Sequence, residues 1–416
     1  MDADKTRVYL ERSGSSPINL RLRRGFGLSS LDSFFQITSQ AISRLKFLSV
    51  DLVPENLQAI TAHISHPAPL LEMLNIDGGS YHLPWNNPAL ASTIFDGDLS
   101  SLRVLRLEYV RTELPWRNMV NLTSFTLRHI STGGFTIGRL LDFFASAPRL
   151  RKIDLYNAKP TSDGENGRLV SLEHLKRVDI IKCEYTSTLL DHLVVPVGAK
   201  LRAQLDPHGF IIEDHIPRFL DNLKNLSSFT KIHLYLDGLL PCMRLSGPNG
   251  QFCIVTTIMD TKTSLLFESL ARFDTSKAER LKICGRIPLF RIPHGTLLPM
   301  KSLRTLVLFR GDGLSTFAGA LNPNANPWKE VVCPSLEQLI FILRTDKEFD
   351  IQGVIEVAAV RASRGVKLRA VVIIGDKELD VADVLEFRRH ALRVEYGREV
   401  DAGDYDSKSD DSGEED

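Results

Sequence analysis

The chain has 416 residues, 43% of them apolar and 25% charged, with a formal net charge of zero, enough apolar material to bury a substantial core. No stretch approaches the roughly 20 uninterrupted apolar residues that span a bilayer, and the N-terminal MDADKTRVYLERSGSS lacks the apolar core of a signal peptide. These features predict an intracellular protein, cytoplasmic or nuclear, without membrane association.

The neutrality is uneven. Residues 401–416 hold eight acids and one lysine, net −7, which leaves +7 for residues 1–400. Like charges without apolar residues predict a disordered acidic tail. The five cysteines, Cys183, Cys242, Cys253, Cys284 and Cys333, are odd in number and contain no C-x-x-C, which predicts buried thiols in a reducing compartment and no zinc site.

Taken in chain order, SLDSFFQITSQAISRL has near-3.6 apolar spacing and predicts an amphipathic helix. A template L-x-x-L-x-L then begins at Leu45, Leu71, Leu102, Leu122, Leu150 and Leu175. Its last two apolar positions alternate and therefore point to one side of a strand. TIGRLLDFFASAPRL and IPRFLDNLKNL predict further helices, and LSSFTKIHLYL from Leu226 reads as another template strand carrying a bulge. Residues 239–259, LLPCMRLSGPNGQFCIVTTIM, are two β-rich runs around G-P-N-G and predict a hairpin at about 241–256. Pairing Gly247 with Gly250 sets Cys253 opposite Arg244 and Cys242 opposite Val255, which argues against a disulfide across it. The template returns at Ala278, Leu303, Leu336 and Leu368, with the helical DIQGVIEVAAVRASRG before the last.

Strand and helix thus alternate at the 20- to 30-residue period of leucine-rich repeats. One unit cannot bury its own leucines, so SLRVLRL at 101–107 is restated as SLRTLVL at 302–308. The predicted fold is α/β: an irregular leucine-rich-repeat horseshoe with a parallel concave sheet, outer helices and the inserted hairpin, forming one solenoid domain over residues 1–400. The asparagine ladder of regular repeats is mostly missing.

The segments YLERSGSSPINLRL, LPWRNMVNLTSFTLRHIS, HLVVPVGAKLRAQLD, MRLSGPNG and LEFRRHALRVEY, in that order, resemble the fungal F-box proteins with irregular leucine-rich-repeat domains. The resemblance implies substrate recognition within a cullin-RING ubiquitin ligase. It also implies an F-box ahead of YLERSGSSP, where no LPxE-type opening precedes Tyr9 in this chain. The ligase adaptor is therefore an expected partner only where an F-box lies upstream. The alternatives are an F-box-less scaffold or inhibitor, or a truncated product without a ligase role.

G-x-S-x-G, G-x-x-x-x-G-K-[ST], H-E-x-x-H and G-x-G-x-x-G are all absent, so no catalytic residue, cofactor or metal is expected. His63 and His66 read as surface histidines. Asn121 and Asn225 occupy N-x-[ST] sequons that read as repeat echoes. Trp85, Trp116 and Trp328 each follow a proline in a connection, where the ring covers a repeat edge or anchors a partner.

The template's variable positions supply the candidate binding surface. Early strands present Arg106, Thr126, Asp154 and Asp179 at the central position, with Arg128, Lys152, Tyr156 and Arg177 beside them. This polar, mixed-charge face suits an unidentified protein partner on a monomer better than an apolar ligand; it also fits a solvated face without a partner. Basic residues interleave with acids and form no basic-aromatic module, so nucleic acid is not expected. Later strands present Val307, Phe309, Ile340 and Ile342. A strand apolar on both sides is either covered by its own chain, through the hairpin or the loop carrying Trp328, or is a partner site.

Overall fold

Two inward positions per strand explain how this chain builds its sheets. In the computed structural model, which describes residues 3–23, 36, 39–51, 63–79, 89–90, 94–97, 99–112, 119–130, 135–163, 168–204, 216–236, 241–255, 263–285, 294–309, 319–322, 330–343, 351–375 and 379–397, all ten uninterrupted template matches form strands. The chain divides into two units, Met1–Asn225 and Leu226–Asp416, each described on its own.

The first unit opens with helix α1 (Ala3–Ser13) and strands β1 (Ile18–Leu22), β2 (Leu45–Asp51) and β3 (Met73–Asp77). The short β4 (Ala89–Leu90), β5 (Val104–Glu108), the short β6 (Arg111–Thr112) and β7 (Ser124–Arg128) follow. Helix α2 (Ile137–Ser146), β8 (Lys152–Tyr156), β9 (Val170–Ser171) and β10 (Arg177–Ile181) come next. Helix α3 (Thr186–Asp191), β11 (Leu193–Val194) and β12 (Lys200–Gln204) complete the set. The long strands pair in the order β1-β2-β3-β5-β7-β8-β10-β12, all parallel. β4 with β6, and β9 with β11, form separate two-stranded parallel pairs.

Register aligns the template. Leu48, Leu74, Leu105, Phe125, Ile153, Val178 and Leu201 form one buried row, and Val50, Ile76, Leu107, Leu127, Leu155, Ile180 and Ala203 the next. Full burial of each Val, Leu, Ile or Phe among them contributes about 1.5–3 kcal/mol, and each is covered by its neighbours in the row. β1 and β12 escape the template because Pro17 and Gly198 stand where it has leucine. Helix α2 begins at an N-cap Thr136 whose hydroxyl accepts from Arg139 N at 3.2 Å, and it buries Leu140, Leu141, Phe143 and Phe144. Phe143 and Phe144 pack on Phe125, with ring centroids at 4.7 and 6.0 Å.

The second unit contains β13 (Lys231–Tyr235), hairpin strands β14 (Cys242–Gly247) and β15 (Gly250–Val255), and α4 (Thr263–Leu270). It continues through β16 (Arg280–Cys284), α5 (His294–Leu297), β17 (Thr305–Phe309) and β18 (Gln338–Ile342). Helix α6 (Ile351–Ser363), β19 (Leu368–Ile374), α7 (Val381–His390) and β20 (Ala391–Gly397) end it. Its strand order is β15-β14-β13-β16-β17-β18-β19-β20, parallel from β13 to β20. The hairpin has the expected register: Gly247 faces Gly250, Arg244 faces Cys253 and Cys242 faces Val255. Glycine is required at 247, where a Cβ would lie 2.5 Å from Ser228 O and 2.7 Å from Phe229 Cα.

Several expectations are corrected. Ile232 and Leu234 of β13 pair with Leu281 and Ile283, so the template there begins at Phe229 without a bulge; the aromatic at 229 occupies the leading position. The sequons consequently differ in phase: Asn121 directly precedes a template leucine, whereas Asn225 stands four residues ahead of Phe229. IPRFLDNLKNL forms two 3-10 turns, Leu220–Asn222 and Lys224–Leu226, in place of an α-helix. Each turn is too short to propagate, and Asn222 and Asn225 instead bond Asp191 O and Ala199 O. Before β2, the described part of the first expected helix is Gln36, which is helical, and a 3-10 segment, Ser39–Arg44. Trp85, Trp116, Trp328 and the acidic tail lie outside the described residues.

Candidate functional site

The variable positions of the first unit form a continuous register. Across β1, β2, β3, β5, β7, β8, β10 and β12, the central row reads Arg21, Ser49, Asn75, Arg106, Thr126, Asp154, Asp179 and Arg202. Six of the sequence candidates share three adjacent strands: Thr126 and Arg128 on β7, Lys152, Asp154 and Tyr156 on β8, with Arg106 beside Thr126 on β5. Arg177 and Asp179 extend the same rows on β10.

Exposure divides these candidates. Arg106, Arg128 and Arg177 are exposed, Lys152 and Tyr156 are half-buried, and Thr126, Asp154 and Asp179 are only 6–8% exposed. The two aspartates act through their partners: Arg128 Nη2 donates to Asp154 Oδ2 at 2.7 Å, and Arg177 Nε donates to Asp179 Oδ2 at 2.6 Å. At Asp154 and Asp179 the row therefore holds buried acids beneath outward-facing guanidinium groups of the flanking rows. Asn75 Nδ2 donates to Ser49 Oγ at 3.3 Å along the same row.

One row further along the strands stand Asp51, Asp77 and Glu108, then Arg128 and Tyr156. Burial pushes the Glu108 carboxyl above the ordinary carboxylate range, and Asp77 adds to the effect. The opposite flank is basic: Lys152, Arg177 and Lys200 occupy matching positions. The face thus runs from an acidic edge on β2, β3 and β5 to a basic edge on β8, β10 and β12.

The residue after each central strand was not anticipated. Tyr109, His129, Asn157 and Lys182 all have φ between 48° and 53°, and each donates its N–H to the next strand: Arg128 O, Tyr156 O, Ile181 O and Gln204 O, at 2.7–3.0 Å. The left-handed turn brings their side chains together. The Tyr109 and His129 rings stack at 4.4 Å, His129 lies 4.9 Å from Tyr156, and Lys182 Nζ lies 5.9 Å from the Tyr156 centroid. Burial, followed by Arg128 and Lys182, pushes the His129 imidazole below its ordinary pKa, which favours the neutral ring. The next residue takes the place of the regular asparagine ladder: Val110, Ile130, Ala158 and Cys183 are all buried.

In the second unit, Val307, Ile340 and Ile342 are 1–3% exposed and pack with Ala370, Val372 and Ile374, while Phe309 is half-buried against them. The chain itself buries these candidates, which is the self-covered one of the two alternatives the sequence left open. The hairpin is not their cover, because β14 extends the sheet from β13, with β16 between β13 and β17. The variable face of β14, β13 and β16 is instead basic, with Arg244, His233 and Lys282 in one row and Lys231 and Arg280 in the next. Locating the template at Phe229 is the step that makes His233 legible as a central variable residue.

A cleft of about 320 Å³ beside the start of α2 is lined by Thr136, Gly138, Asp142, Asp163, Arg168 and His192, among others. Its polar groups satisfy one another. Thr136 Oγ1 and Gly138 N donate to Asp163 at 2.6 and 3.1 Å, Arg168 pairs with Asp142, and His192 Nδ1 lies 3.0 Å from Arg168 O. Burial opposes ionisation of Asp163, but the bonds from Thr136 and Gly138 prevail and hold its carboxyl below the usual range. Among the described residues, no three His, Cys, Asp or Glu side chains are grouped to hold a metal ion, and no helix is long and apolar enough to cross a membrane.

The parallel ladders with one L-x-x-L-x-L strand per repeat define an α/β fold of leucine-rich-repeat type. No family model matches the sequence, and no curated protein does. Among solved structures, a chain in the crystal structure of the TLR13–ssRNA13 complex is similar at 14% sequence identity and a TM-score of 0.30, over 86% of this chain and 39% of that one. The present chain thus spans about two fifths of that neighbour's length.

Proposed function

We propose that the chain is a non-enzymatic protein-binding repeat domain whose partner docks on the variable face of the first unit. The carrying observation is the unbroken register from Arg21 to Arg202, in which guanidinium groups stand over buried aspartates between an acidic and a basic edge. Side chains fixed by the sheet and by ion pairs are pre-organised for recognition, and separated charges of both signs select a partner with the complementary pattern. An interleaved surface of this kind suits a folded protein better than a polyanion.

The resemblance to fungal F-box proteins gives the finer reading, in which this face receives the substrate of a cullin-RING ubiquitin ligase. The alternative is an F-box-less scaffold or inhibitor that uses the same face. The test pairs the parent chain with Arg106→Glu/Lys152→Glu, two positions whose charge reversal leaves the aspartate bonds intact. Proteins captured by the parent and lost by the variant, at equal melting temperature, support the face; identical capture by both removes it. Binding of the purified ligase adaptor to the parent supports the ligase reading, and its failure to bind favours the scaffold.

A further inference from the structure

The parallel ladders repeat one position just ahead of each strand, and the two units fill it differently. In the second unit this rim alternates in sign: Glu279, Arg304, Glu337 and Arg369 follow one another, linked N–H to carbonyl at 2.8–2.9 Å. In the first unit the same ladder runs Lys46, Glu72, Arg103, Thr123, Arg151 and Lys176, and its acid, Glu72, is taken by Lys46 at 3.5 Å. The repeat therefore does not itself require a basic rim. On β8, β10 and β12 the next row adds Lys152, Arg177 and Lys200, so five cations share two adjacent rows of three strands. Arg151, Lys176, Arg177 and Lys200 are exposed and Lys152 is half-buried. Arg177 donates to Asp179; among the described residues, the side chains of the other four form no ion pair. Asp154 and Asp179 are buried, and Glu173 stands on the turn ahead of β10. Cations held this close repel one another, and an anionic partner that bridges them relieves the repulsion.

We propose that this basic edge docks an acidic α-helix of the partner protein, lying across β8, β10 and β12. The inference rests on the reading of the first-unit face as a docking surface, and it names the chemistry that meets the basic side of that face. Charge complementarity selects an anionic element, and spacing selects a helix. From β8 to β12 is two strand spacings, about 9.6 Å. Two helical turns advance about 10.8 Å, a mismatch of about 1 Å that the long lysine and arginine stems absorb. An extended segment presents same-side residues about 6.7 Å apart, so two such steps cover about 13.4 Å and overshoot. Acids at i, i+4 and i+7 of a helix thus meet one strand each. Val197, 58% exposed on the turn ahead of β12, offers the helix an apolar contact beside the charges. Neither row on these three strands contains an aromatic ring on which bases could stack, which favours carboxylates over single-stranded nucleic acid.

The experiment uses the full chain and a fluorescent synthetic peptide of glutamate and alanine, held helical by a side-chain staple, with glutamates at i, i+4, i+7 and i+11 in one stripe. A second stapled peptide of the same composition spreads its glutamates around the helix. Anisotropy at low salt is expected to show the striped peptide binding about tenfold more tightly than the spread one, with release at high salt. Arg151→Glu/Lys176→Glu is expected to abolish binding with the melting temperature retained. Arg304→Glu/Arg369→Glu, at the alternating rim of the second unit, is expected to leave it unchanged. No binding by the parent, equal binding of the two peptides, or equal binding by the parent and Arg151→Glu/Lys176→Glu overturns the proposal; the peptide comparison needs only the parent chain and stands if a variant fails to fold. An oligothymidylate of the same net charge that binds the parent more tightly than the striped peptide also overturns it, in favour of nucleic acid. The broader docking face is tested by protein capture through Arg106 and Lys152. Capture lost in that variant, without striped-peptide binding by the parent, removes the acidic helix and keeps the face; striped-peptide binding with capture unchanged keeps the basic edge and removes the face.

Discussion

Arg361 carries a full charge on helix α6 at 0% exposure. Burying a cation is expensive unless hydrogen bonds replace its water, and here two backbone carbonyls do so: Nη1 donates to Val332 O at 2.7 Å and Nη2 to Cys333 O at 2.9 Å. Cys333 itself sits at φ 51°, and burial pushes its thiol up to about 12. The guanidinium therefore clamps a left-handed turn just ahead of β18. Arg361→Met should lower stability by about 3 kcal/mol in denaturant melts, because two buried carbonyls lose charge-assisted bonds. Arg361→Lys should not restore it, since one ammonium cannot reproduce the two-pronged geometry. His233 gives a pH prediction. Burial, reinforced by Lys282, Arg280, Arg244 and Lys231, lowers its pKa to about 4 from an ordinary 6.5. Between those values the unfolded chain binds a proton that the folded chain refuses, so stability falls as pH drops from 6.5 towards 4. The ceiling on this loss is about 3 kcal/mol. His233→Gln should flatten the melting temperature across that window; an unchanged slope would assign the acid sensitivity to other groups.

At the level of elements, the strands were the legible part because each must present two apolar side chains to the same core, and L-x-x-L-x-L records that requirement directly. The template failed where the leading position is filled otherwise. Pro17 and Gly198 hid β1 and β12, and starting at Leu226 in place of Phe229 introduced a bulge that β13 does not have. Helices were less legible: α2 and α6 follow 3.6 spacing, whereas Leu220–Leu226 has that spacing and turns into 3-10 segments held by asparagine side chains. Of the candidate site, the identities along the central row could be read off. Which of them are outward cations and which are buried acids could not, because that depends on pairings such as Arg128 with Asp154 between strands 26 residues apart in sequence. The aromatic stack from Tyr109 to Tyr156 was hidden for a similar reason, since a left-handed residue after a strand has no fixed sequence signature outside glycine and asparagine. The strands β17, β18 and β19 show the energetic side. Ile340 lies in a second apolar layer at 3% exposure, so Ile340→Asp introduces an unpaired buried charge and should destabilise the chain by several kcal/mol. A variant with an unchanged denaturation midpoint would show that this face opens to solvent.

For the whole molecule, the decisive property is that stabilisation passes between neighbouring strands. Leu105 is covered by Leu74 and Phe125, and Leu308 by Ile283 and Phe341, so a strand with two partners is held from both sides and a terminal strand from one. Among the described strands, β1 pairs with β2 alone and β20 with β19 alone. β20 also exposes Leu392 at 71%, and the adjoining helix α7 exposes Val381 and Leu385. Opening an end strand breaks one ladder and uncovers one layer; opening β7 or β18 breaks two ladders and uncovers both neighbours. Native-state hydrogen exchange should therefore show a gradient, with amides of β1 and β20 opening at lower free energy than those of β7, β8, β17 and β18. If β1 is as protected as β7 and β8 in the first unit, and β20 as protected as β17 and β18 in the second, each unit opens only as one cooperative block. A gradient that steepens in Ile340→Asp around β17 to β19, and leaves β5 to β8 unchanged, would locate the loss in the neighbouring strands alone, as nearest-neighbour coupling requires.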